Sequence, residues 1–118
     1  MSRINEYFTT EEFACKCCGE SKMDEHFIAQ LTAVRQVANI PFVIVSGYRC
    51  TKHNQEVHSF TENHVKGMAA DIRCITSADR FKIINAAIKF GFNRIGVYGT
   101  FIHLDDNADA PQDVIWTA

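Results

Sequence analysis

The chain has 118 residues, 47% hydrophobic and 22% charged, the usage of a soluble globular fold with one core and not of a disordered segment. A formal net charge of -2 lacks the basic surplus that nonspecific nucleic-acid binding needs, so nucleic acid is not an expected partner. No apolar run approaches the roughly 20 residues of a spanning helix, so membrane insertion is not expected either.

The opening segment, Met1-Ser2-Arg3-Ile4-Asn5-Glu6, lacks the apolar stretch of a secretory signal. Synthesis in the cytoplasm is expected, as a single domain over residues 1–118 and as a monomer. Thr9 begins a first helix, with Glu12 completing a capping box and Phe8 and Phe13 forming a hydrophobic staple. A second helix runs from Asp24 to Ala38, its apolar stripe made of Phe27, Leu31, Val34 and Ala38, and Pro41 stops it.

Phe42-Val43-Ile44-Val45 reads as a buried strand ended by Ser46 and Gly47, and Thr51 to Val57 as a short polar helix. Met68 to Cys74 is another strand. The third long helix is capped by Thr76 or Ser77, presents Phe81, Ile84 and Ile88 on one face, and closes at Gly91 with a left-handed cap. Arg94–Val97 and Phe101–Asp105 make two strands around a turn at Tyr98-Gly99-Thr100. The remainder, around Pro111, is a polar tail. Helices on one side of a small, mostly antiparallel sheet give an α+β fold.

Five cysteines occur: Cys15, Cys17, Cys18, Cys50 and Cys74. An odd count argues against a fully paired disulfide framework. Of these, only Cys15 and Cys18 have Cys-x-x-Cys spacing, while Cys50 and Cys74 each stand alone. Reduced or partly paired structural cysteines are therefore expected ahead of an all-cysteine zinc site.

Side-chain alternation sorts the chemistry. On the Met68–Cys74 strand, Met68, Ala70 and Ile72 face the core, and Ala69, Asp71 and Arg73 face away. On the last strand, Ile102 and Leu104 face the core, while Phe101, His103 and Asp105 share the other face. Gly67 allows His64 to fold back towards Asp71. If the two strands are neighbours, His64, Asp71 and His103 converge, which is a catalytic zinc pattern of three nitrogen and oxygen ligands with one open position. A water in that position would become a nucleophile near neutral pH. Asp71 has a second reading as a buried partner of Arg49 or Arg73. His26, His53 and His58 read as solvated surface residues.

Ser46-Gly47-Tyr48-Arg49, His64-x-x-Gly67-x-Ala69-x-Asp71 and Phe101-Ile102-His103-Leu104-Asp105 together resemble the zinc D-Ala-D-Ala carboxypeptidase family. That family includes L-alanyl-D-glutamate endopeptidases and is akin in fold to hedgehog signalling domains. The resemblance implies a hedgehog/DD-peptidase-like fold and Zn2+ on His64, Asp71 and His103. It also implies hydrolysis of bacterial peptidoglycan stem or cross-link peptides, and places Arg49 where it can hold an oxyanion or a substrate carboxylate.

Where relatives place a carboxylate as general base, three positions before the last histidine, this chain has Thr100. Asp105 is the first candidate to replace it, with an equal reading as the group that orients a zinc-bound imidazole. Glu62 is the next. A phage or bacterial lysis enzyme acting at the wall after release is expected. The alternatives are an inactive zinc-fold binding module or a phage structural component.

Overall fold

The computed structural model describes residues 3–59 and 61–118. Helix α1, Glu25–Ala38, begins where the Asp24 carboxylate accepts the Phe27 N–H at 2.9 Å. It buries Phe27, Ile28, Leu31, Val34 and Ala38, the expected stripe. Asn39 ends it in the left-handed region at φ 55, so the stop precedes Pro41. The first helix expected at Thr9 is only a single 3-10 turn, Thr10–Phe13, and Thr9 makes no side-chain cap. The staple contact nevertheless forms: Phe8 and Phe13 meet edge to face at 5.3 Å, and both are buried.

Five strands follow: β1 (Ile44–Ser46), β2 (Ala69–Arg73), β3 (Arg94–Val97), β4 (Phe101–Asp105) and β5 (Val114–Thr117). They lie in the order β1-β2-β4-β3-β5, and every pairing is antiparallel except β3 with β5. β1 sits at the sheet edge and is half-buried, with Val43 exposed before it. The expected buried strand is therefore an edge strand with one flank open. β5 overturns the polar-tail expectation: its backbone pairs with all of β3, Arg94↔Val114 through Val97↔Thr117.

Helix α3, Ser77–Lys89, is capped by the Thr76 hydroxyl on the Asp79 N–H at 3.1 Å, and Gly91 follows it at φ +86. Its buried face, however, is Ile83, Ala86 and Ala87, whereas Phe81 is 70% and Ile88 56% exposed. Apolar residues mark two stripes of this helix. The one carrying small alanines wins because it lets α3 pack closely on α1.

α1 and α3 cover one face of the sheet. Ala70, Ile72, Ile95, Ile102 and Leu104 point into that core, with Phe27, Leu31 and Ile83 opposite. This is an α+β architecture, and no helix among the described residues is long and apolar enough to cross a membrane. The short α2, Thr51–Glu56, borders the opposite face. All five cysteines are free. Cys50 does not stand alone, since its Sγ lies 3.7 Å from that of Cys15.

Candidate metal centre

Because odd and even residues of a strand point to opposite faces, the buried apolar face of β2 and β4 commits Asp71 and His103 to the other one. The ladder sets them directly opposite each other, Asp71↔His103, with Ala69 opposite Asp105. On the far side of β2, an irregularity in β1 between Ile44 and Ser46 brings Ser46 beside Asp71 and carries the chain over the site towards Arg49. His64 reaches the same point from the turn before β2. That turn needs Gly67: its φ is +70, and a Cβ there would collide with the Lys22 carbonyl oxygen.

The three side chains converge on one carboxylate oxygen. Asp71 Oδ1 lies 2.9 Å from His103 Nδ1 and 3.5 Å from His64 Nε2, and the ligand atoms of all three lie within 4.8 Å of one another. Each imidazole is fixed from behind. The His64 Nδ1–H donates to the Gly47 carbonyl at 2.7 Å, leaving Nε2 to face the site. The His103 Nε2–H donates to Asp105 Oδ2 at 2.7 Å, leaving Nδ1 to face it. Asp71 Oδ2 accepts from Arg49 Nη2 at 3.3 Å.

Asp105 stands behind the site. It is 0% exposed and accepts from Arg94 Nε at 2.6 Å, from the Asn107 N–H at 3.1 Å and from Asn63 Nδ2 at 3.3 Å. Arg94 is itself held by the Pro111 carbonyl at 2.6 Å and lies over the Trp116 ring at 5.2 Å. Gly96 makes room for that ring, since a Cβ there would come within 2.7 Å of Trp116 Nε1. Trp116 in turn donates to the Tyr98 hydroxyl at 3.0 Å.

This packing displaces the proton equilibria. Burial pushes the Asp71 carboxyl up, but the hydrogen bond with His103 and the proximity of His64 outweigh it and hold the group well below the ordinary carboxylate range. Burial pushes His103 down, yet its bonds to Asp105 and Asp71 prevail and raise it. Asp105 is also lowered: burial opposes this, and His103 and Arg94 overcome it. Burial lowers Arg49, although the Asp71 charge works the other way.

The site opens into a cleft of about 520 Å³. Of the residues singled out in the sequence, Arg49, His64, Asp71 and His103 line it. Asp105 touches His103 but lies outside that lining, and Glu62 is exposed and also outside it. Thr100 is exposed in the β3–β4 turn. Sequence reasoning missed His58, Tyr98 and Trp116, all of which face the cleft. Tyr98 and Phe101 stack at 4.5 Å with their planes 9° apart, forming one wall. Trp116 could be found only by recognising β5.

Two imidazole nitrogens and a carboxylate, each anchored from behind and directed at one open cleft, suit a divalent cation of the zinc class. An α+β sheet carrying that donor set defines a metallopeptidase type of site. The family model described as Peptidase M15 matches residues 6–105, and the chain belongs to that family. M15 peptidases are zinc-dependent, and His64, Asp71 and His103 are the candidate metal-binding groups of this chain's cleft. The comparison with curated proteins returned no match.

Proposed function

We propose that this chain hydrolyses a peptide bond in bacterial cell-wall stem or cross-link peptides, with zinc held by His64, Asp71 and His103. The observation that carries the reading is the convergence of these donors on the cleft wall, with the Arg49 guanidinium beside them. Zinc bound there would supply a Lewis acid and a more acidic water near neutral pH.

The protein's own groups do the rest. Arg49 is fixed by Ser46 Oγ at 3.1 Å and Asn54 Oδ1 at 3.3 Å as well as by Asp71, so it offers a positioned cation for a substrate carboxylate or a developing oxyanion. Asp105 has both oxygens engaged inside the protein, which suits the orienting of His103 and not the transfer of a proton at the substrate. Glu62 has no side chain in the cleft lining and receives no role. Among the described lining residues, Asp71 is the sole carboxylate, and His58 is the one imidazole outside the metal-ligand set. His58 is the proton-transfer group in this reading. Tyr98, Phe101 and Trp116 form an aromatic wall against which a short peptide can lie.

This reading puts the protein's work at the bacterial wall, as a lysis or remodelling enzyme of phage or bacterial origin. Purified peptidoglycan incubated with the zinc-loaded protein should release new amino or carboxyl termini, and chelation should stop the release. No release from any wall chemotype, with zinc bound, would count against it. The lack of a second cleft carboxylate favours one other reading, a zinc-fold module that binds wall peptides without turnover. Affinity for wall fragments with no new termini would select that reading.

A further inference from the structure

We propose that Cys15, Cys18 and Cys50 form a second metal site, a structural zinc site separate from the cleft. Their three Sγ atoms lie within 4.8 Å of one another, although Cys50 is remote from the other two in sequence. The Cys15–Cys50 separation of 3.7 Å excludes a disulfide and is a spacing that a shared metal accepts. A disulfide holds its sulfurs at about 2.0 Å. Two thiolates on one tetrahedral zinc, each at about 2.3 Å from the metal, sit about 3.8 Å apart along the tetrahedron's edge. The observed pair matches the second case.

The surrounding backbone is built for sulfur with negative charge. Cys15-Lys16-Cys17-Cys18-Gly19 folds into a tight turn, closed by the Gly19 N–H on the Cys15 carbonyl at 2.8 Å and the Cys15 N–H on the Glu20 carbonyl at 2.7 Å. The Cys50 N–H reaches Cys15 Sγ at 3.4 Å. Cys50 Sγ accepts from the His53 N–H at 3.4 Å. The Cys18 Sγ lies within 4.8 Å of those of both Cys15 and Cys50. Convergent amides that solvate sulfur, together with a Cys-x-x-Cys turn, are the parts of a closed thiolate site.

Soft thiolates select zinc over magnesium or calcium. None of the three cysteines lines the cleft, so the site's work is mechanical. Cys50 directly follows Arg49, and the Tyr48 N–H already bonds the Phe13 carbonyl at 2.8 Å. A metal bridging the Cys15–Cys18 turn to Cys50 staples the N-terminal segment to the loop that presents Arg49. The inference does not depend on which peptide, if any, the cleft cuts.

The test is cobalt substitution of the full chain prepared under reducing, anaerobic conditions, with metal counted per chain. Wild type should bind a second equivalent beyond the cleft metal and show an intense near-ultraviolet thiolate-to-cobalt charge-transfer band. His103→Ala should lose the cleft equivalent and keep the band, and Cys50→Ser should lose the band and keep the cleft equivalent. An organomercurial that titrates thiols should release one equivalent from folded wild-type protein and leave the other, so the question survives if Cys50→Ser fails to fold. Absence of the band in wild type, or its survival in Cys50→Ser, overturns the proposal. So does a mass two hydrogens low with Cys15 and Cys50 joined in the protein as isolated.

Discussion

The molecule gathers metal-ligating side chains in two places, and the two are built differently. The cleft uses two imidazoles and a carboxylate on or beside paired strands, with the far side of each imidazole bonded to the protein. The cysteine cluster uses thiols from a turn and a helix start, with backbone amides aimed at the sulfurs. Strand register sets Asp71 opposite His103 in the first arrangement, and the cleft leaves one side open to solvent. The second has its donors on loops, where a bound ion adds order. An open, preformed site suits chemistry and a closed loop site suits cross-linking.

Variants can break or sharpen this contrast. The largest effect is expected for His103→Ala, which should lose cleft zinc and lower hydrolysis by about three orders of magnitude, roughly 4 kcal/mol of transition-state stabilisation. Arg49→Lys keeps the charge and loses the planar fork. A drop in turnover of about 10²-fold or more at unchanged zinc content is expected, measured by steady-state kinetics on wall fragments. His58→Ala should lower the rate by about 10²-fold at unchanged zinc content in the same assay.

Asp105→Asn separates orienting from proton transfer. It should weaken cleft zinc by roughly 10–100-fold in a chelator competition, because the carboxylate behind His103 is gone. It should also destabilise the fold by about 3 kcal/mol in chemical denaturation, since Arg94 is left buried without its partner. Unchanged zinc affinity with lost turnover would instead make Asp105 a base. The smallest effect is expected for Phe81→Ser, on the exposed face of α3 and touching neither metal region. It should shift stability by less than about 0.5 kcal/mol.

The same contrast explains what the sequence disclosed. Period-two alternation in β2 and β4 is local, so the facing of Asp71 and His103 could be read from neighbouring residues, and only the pairing of the strands had to be supposed. The strands Arg94–Val97 and Phe101–Asp105 stand where the pattern put them. β5 was hidden because Val114–Thr117 is short and gains its status as a strand only from β3, remote in the chain. The buried face of α3 was misassigned because two apolar stripes satisfy the helical period, and the choice between them depends on what α1 can accommodate. Cys50 looked solitary for the same reason that Trp116 was missed: both reach their neighbours through tertiary packing that spacing does not record. Asp105 was placed on the right face, but Arg94, Asn63 and Asn107, which cover it, lie on other segments.

The convergence of three donors on one cation is tested most directly by diffraction from zinc-soaked crystals, collected on both sides of the zinc absorption edge. Anomalous density should appear in the cleft, bonded to His64 Nε2, Asp71 and His103 Nδ1 at about 2.0–2.2 Å. Density confined to other groups, with the two imidazoles and the carboxylate still bonded only to one another, would contradict it.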